Sequence, residues 1–177
     1  MLFETTDVAL FIDPQLPVDR EAFWEWADAR CAGRDVIALT TIGFHARSRA
    51  AIIDRYGGAS VGEDASADFE PLLPASVECL RLPAAGETLV WLAGPKALIP
   101  GDSLVGDGRG GLRLCPESWL DVAPEALTSE ELRGALAEIT AGLPVRRVLV
   151  GHGDPVLSGG REALDRVLAP ASALGRV

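Results

Sequence analysis

Residues 147–156 read RVLVGHGDPV, and residues 97–106 read ALIPGDSLVG. Each is a short apolar run of the kind that forms a buried strand. Each ends by presenting one ligand-type side chain beside glycine: His152 in the first, Asp102 in the second. A strand end holds its side chain rigidly, and glycine lets backbone and ligand approach closely. An Asp and a His presented in this way can share a metal ion.

Outward from these two segments the chain alternates strands and helices. Toward the N-terminus, VALFID at 8–13 is an apolar strand stopped by Asp13-Pro14. Asp19 is placed to cap a helix through about Ala32, with Gly33 past its end. Phe23, Trp26, Ala27 and Arg30 follow helical spacing along it, which puts Trp24 on another face. VIALTT at 36–41 is the next strand, and residues 43–48 form a loop. A second helix runs from about Ser48 to Tyr56, closed by Gly57 and Gly58. Residues 62–76 are small and acidic and read as an irregular connection. Strand-like runs follow at 77–82, 87–93 and 96–100, with a hairpin-length gap at Gly94-Pro95. Residues 116–120 start a helical turn. Thr128 and Glu131 fit a capping box on a helix to Ala141, and Gly160–Leu168 is the last helix. Such alternation predicts an α/β protein, and with 177 residues and no linker, a single domain spanning 1–177.

Composition removes several function classes. The formal charge is −10, with one lysine and no arginine cluster beyond Arg146-Arg147. Nucleic-acid binding needs a cationic stripe, so no nucleic-acid partner is expected. Val8–Ile12 is far too short to span a bilayer, so no membrane partner is expected. Without a basic n-region the chain reads as cytoplasmic. Cys31, Cys79 and Cys115 are odd in number, form no C-x-x-C pair and read as three buried thiols. Residues 106–111 satisfy G-x-G-x-x-G, but LRLCP follows. A dinucleotide fingerprint needs a helix there, so this stretch reads as a turn between strands.

With GDSLVG at 101–106, GHGDP at 151–155 and the order of elements between them, the chain resembles the metallo-β-lactamase-fold superfamily of glyoxalase II-like and lactonase-like hydrolases. The resemblance covers the chain from residue 8 to the last helix. It implies an αββα sandwich, here with a shortened N-terminus, and a site that in the family holds two metal ions. The family places H-x-H-x-D-H after a strand ending in Thr. Aligned on Thr40, its two leading histidines become Thr41 and Gly43, its aspartate becomes His45 and its closing histidine becomes Ala46. A further family histidine would fall at 83–86, which read PAAG. Only Asp102 and His152 persist residue by residue.

Standard dinuclear zinc hydrolysis is therefore not expected. The leading expectation is a pseudoenzyme that binds a small molecule or a partner. The alternative is a mononuclear-metal hydrolase of a small ester, thioester or lactone, with Asp102 and His152 as the catalytic pair. Its cofactor would be one divalent ion, zinc or iron, on His45, Asp102 and His152. Without that ion the expected cofactor is none, His152 bonds within its loop, and His45 caps the following helix. Arg47 is the candidate for a substrate carboxylate or phosphate. The other reading of Arg47 and Arg49 is ion pairing with Asp54 on their own helix. A homodimer is a further expectation, because missing opening strands would leave a sheet edge for a second copy to cover.

Overall fold

The computed structural model describes residues 1–62 and 72–170. The chain divides into two compact units, Met1–Ala75 and Ser76–Val177.

In the first unit four strands form one sheet in the order β1-β2-β3-β4: β1 (Leu2–Glu4), β2 (Val8–Ile12), β3 (Asp35–Leu39) and β4 (Ala59–Val61). β1 is antiparallel to β2, and β2, β3 and β4 run parallel. Sequence reading passed over β1, whose three residues carry too little periodicity; it exists because Leu2 and Phe3 pair with Phe11 and Leu10. Helix α1 (Arg20–Cys31) starts as expected, with the Asp19 carboxylate accepting the Ala22 N–H at 3.1 Å. Its buried face differs from the expected one. Ala27 and Cys31 are buried, with Phe23 and Trp24 packed against them, whereas Trp26 is 40% exposed. The Arg30 guanidinium lies over the Trp26 ring at 4.6 Å. Helix α2 (Arg49–Tyr56) sends only Ile52 fully into this core.

The second unit contains a sheet in the order β10-β7-β6-β5, formed by β5 (Val77–Leu82), β6 (Glu87–Leu92), β7 (Ala97–Ile99) and β10 (Arg147–Val148). β10 runs parallel to β7 and the other pairs are antiparallel. β6 is buried along its whole length. β8 (Leu104–Gly106) and β9 (Leu112–Leu114) form a hairpin, so the G-x-G-x-x-G stretch is a turn, as expected. Asp107 organises that turn, accepting N–H bonds from Arg109 at 2.7 Å and Gly111 at 2.8 Å. Helices α3 (Glu117–Leu120), α4 (Ser129–Ile139) and α5 (Gly160–Leu168) complete the unit. Leu132 and Leu136 of α4 join Ala163 and Leu164 of α5 in one core with Leu89, Trp91 and Leu98.

Two boundaries are shorter than expected. α4 ends at Ile139: Thr140 leaves helical geometry at φ −97° and ψ 3°, and Gly142 follows in the left-handed region at φ 73°. β10 stops at Val148, whose N–H and C=O pair with Val156 after the loop doubles back. Cys31 and Cys115 are buried, but Cys79 is only half-buried, which corrects the reading of three buried thiols. Most of the irregular connection expected at 62–76 lies outside the described residues. Among the described residues, no helix is long and apolar enough to cross a membrane.

Candidate functional site

In the first unit the residues of interest sit where β2 and β3 end. Asp13 follows β2 with a φ of 48°, a left-handed conformation that Asp tolerates better than most residues. This turn aims its carboxylate across the end of β3. One oxygen accepts the Thr41 N–H at 2.8 Å. The other accepts the Thr41 hydroxyl at 2.6 Å and lies 2.9 Å from His45 Nδ1. His45 is 2% exposed and closes a 3-10 turn, Gly43–His45. A carboxylate only accepts, so Nδ1 carries the proton toward Asp13. Histidine ligands are commonly oriented by such an acceptor behind the ring.

The two arginines after His45 have different surroundings. Arg47 donates to the Gln15 side-chain oxygen at 2.8 Å in an exposed position. Arg49 donates to the Thr40 hydroxyl at 2.9 Å and to the Val61 carbonyl at 3.3 Å. These bonds go to neutral oxygens, and Arg49 ties α2 to the ends of β3 and β4.

In the second unit the GDS segment is cradled by one buried carboxylate. Glu87, 3% exposed, opens β6 and accepts four hydrogen bonds. They come from the N–H groups of Gly101, Asp102 and Ser103 at 2.9, 3.0 and 2.9 Å and from the Ser103 hydroxyl at 2.6 Å. Burial pushes the Glu87 carboxyl above its ordinary range, and these bonds oppose the shift. A Cβ on Gly101 would lie 2.9 Å from Glu87 Cγ and Cδ, so only glycine lets the loop sit so close. The loop thereby fixes the Asp102 main chain.

The His152 loop is held by backbone interlock. The Gly106 N–H donates to the His152 carbonyl at 2.9 Å. A Cβ on Gly106 would come within 2.4 Å of the Asp154 main-chain N and O. His152 Nε2 then lies 3.3 Å from Asp102 Oδ1. The Trp119 ring meets the His152 ring edge-on at 5.2 Å between centroids.

The second unit thus brings Asp102 and His152 to 3.3 Å, and the first unit sets the Asp13 carboxylate behind His45. Sequence reading missed Asp13, Glu87 and Trp119. Glu87 carried a usable signal: an acidic residue opening the otherwise apolar run TLVWL at 88–92. In sequence Asp13 carries only the signal of a stop before Pro14, and nothing there separates Trp119 from an exposed aromatic.

The two-ion set of the resembled superfamily does not fit these residues. The Thr41 hydroxyl is taken up by Asp13, and Gly43 and Ala46 offer no side-chain donor. Within the second unit Asp102 and His152 offer a carboxylate oxygen and an imidazole nitrogen as ligand atoms, and within the first unit His45 offers an imidazole nitrogen.

No protein-family model matches the chain, and no curated protein matches it. Solved structures do. VMB-1 is 16% identical, with 99% of this chain and 84% of that chain covered and a TM-score of 0.62. The DIM-1 metallo-beta-lactamase is 14% identical, with 98% and 86% covered and a TM-score of 0.59. A metallo-beta-lactamase from Pontibacter korlensis is 13% identical, with 95% and 84% covered and a TM-score of 0.60. The chain has the metallo-β-lactamase fold, the α/β class expected from its sequence.

Proposed function

We propose that this metallo-β-lactamase-fold chain does not perform dinuclear zinc hydrolysis and instead binds a small molecule or a protein partner. The carrying observation is the donor inventory after β3: Thr41, Gly43 and Ala46 occupy positions where the fold's hydrolases supply histidines. Fold does not dictate chemistry; the site does. The protein, loaded with excess zinc and desalted, is expected to retain at most one zinc per chain by elemental analysis. It is also expected to leave a chromogenic β-lactam unhydrolysed. Two retained equivalents, or turnover above buffer, would overturn this reading.

A second reading is favoured by the Asp13–His45 contact, an orienting arrangement common behind metal-bound imidazoles. In it His45, Asp102 and His152 hold one zinc or iron(II) ion, and the substrate is a small ester, thioester or lactone. A divalent ion supplies carbonyl polarisation and a more acidic water. Asp102 and His152 would then sit at the reacting centre, and Arg47 would take a substrate carboxylate. One metal per chain is expected, lost in His45→Ala and in His152→Ala together with p-nitrophenyl acetate hydrolysis. Wild-type metal no higher than in these variants sinks the second reading and leaves the first standing. If the partner is a second copy, light scattering at high concentration gives a dimer mass.

A further inference from the structure

An acidic chain of net charge −10 has little reason to gather its arginines, yet one cavity of the second unit does so. It has a volume of about 650 Å³ and is lined by Arg109, Arg113, Arg133 and Arg166. That is four of the chain's 15 arginines. Its floor is apolar, from Leu112 and Leu114 of β9 and Ala163 and Val167 of α5. Neither Asp102 nor His152 lines it.

The arginines are only partly neutralised. Arg133 pairs with Glu130 and also reaches the Val167 carbonyl at 3.3 Å. Arg113 donates to the Leu114 carbonyl and Arg166 to the Glu162 carbonyl, both at 3.3 Å, so these bonds leave their charge uncancelled. Asp107 is the one carboxylate in the lining; its Oδ1 accepts the N–H groups of Arg109 and Gly111, and its charge offsets part of that on Arg109 and Arg166, leaving four guanidinium groups against one carboxylate there. The turn that carries Arg109 is therefore set by Asp107. Guanidinium groups bind phosphate and carboxylate oxygens in pairs, and several around one hollow favour a multiply charged anion. The apolar floor adds a place for a hydrophobic substituent.

We propose that this cavity is a binding site for a small phosphate monoester with an apolar body. Its phosphate lies among Arg109, Arg113, Arg133 and Arg166, and its body lies on Leu112, Leu114, Ala163 and Val167. The site is independent of any chemistry at Asp102 and His152.

Phenyl phosphate, inorganic phosphate and phenol are titrated into the full chain at low salt, by calorimetry and by amide NMR. Phenyl phosphate is expected to bind tighter than inorganic phosphate, phenol to show no binding, and the shifts to fall on residues 109–114 and 163–167. The double variant Arg109→Ser/Arg166→Ser is expected to lose at least about tenfold in affinity. Both arginines are exposed, and an unchanged melting temperature confirms folding. The charge-matched control Arg20→Ser/Arg146→Ser is expected to leave affinity unchanged. Equal weakening in both double variants, shifts centred on His152, or no binding of phenyl phosphate at 10 mM (a ceiling of about −2.7 kcal/mol) overturns the proposal.

Discussion

At Gly106 the chain leaves room for a hydrogen and nothing more, because the Asp154 main chain passes where a Cβ would stand. The clash is with backbone on a loop held at both ends, so it cannot be relieved by a side-chain rotation. Gly106→Ala is expected to cost about 2–3 kcal/mol, the upper part of the range for overpacking. In a chain of this size that lowers the melting temperature by roughly 5–10 °C. Because the displaced loop carries His152, the His152 ring resonances should move as well. A melting curve and an imidazole NMR spectrum check both; an unchanged pair would mean that the interlock is not needed. The same scale shows what sequence can and cannot carry. GDS at 101–103 and GHG at 151–153 announced themselves by glycine beside a ligand-type residue. Asp13 did not, because its contacts to Thr41 and His45 span 28 and 32 residues.

Helices α1 and α2 of the first unit are joined by one polar cluster. Asp28 on α1 accepts bonds from Arg55 at 2.8 and 2.6 Å and from the Tyr56 hydroxyl at 2.8 Å. The Arg55 guanidinium also lies over the Trp24 ring at 4.7 Å. The hydrogen bonds from Arg55, and then that from Tyr56, hold the Asp28 carboxyl down at about 2, against an ordinary 3.8. A carboxyl depressed in the folded state binds its proton more readily once the chain unfolds. Its stabilising contribution is therefore complete above pH 3.8 and is lost as pH falls toward 2. Comparing urea midpoints of the wild type and Asp28→Asn should show a constant gap at neutral pH that closes across this window. A gap independent of pH would remove Asp28 as the titrating group. Sequence placed both helices and the Asp19 cap, since caps and periodicity are local. It misplaced the inward face of α1, because Trp24 rather than Trp26 is covered, by Tyr56 of the other helix at 6.2 Å between ring centroids.

For the whole molecule, thiol reactivity gives a direct reading of which parts are closed. Burial raises the Cys31 thiol and pushes Cys115 up to about 11, with the charges of Glu87 and Asp102 adding to the rise at Cys115. Both stay protonated at pH 8, and the thiolate is the reactive form. A native-state thiol titration is expected to label at most half-buried Cys79 quickly and the other two only on unfolding. Three fast thiols would show that the cores around Cys31 and Cys115 open readily. The sequence by itself determined the α/β order of elements, the strand ends that carry Asp102 and His152, and a supply of two histidines in the chain. These depend on local periodicity, caps, glycines and residue counts. Only the tertiary structure decided that Asp13 stands behind His45, that Glu87 cradles the GDS loop and that four arginines share a hollow over an apolar floor. Those pairings join residues distant in sequence, and no local pattern encodes which distant side chain the folded backbone will bring to a given place.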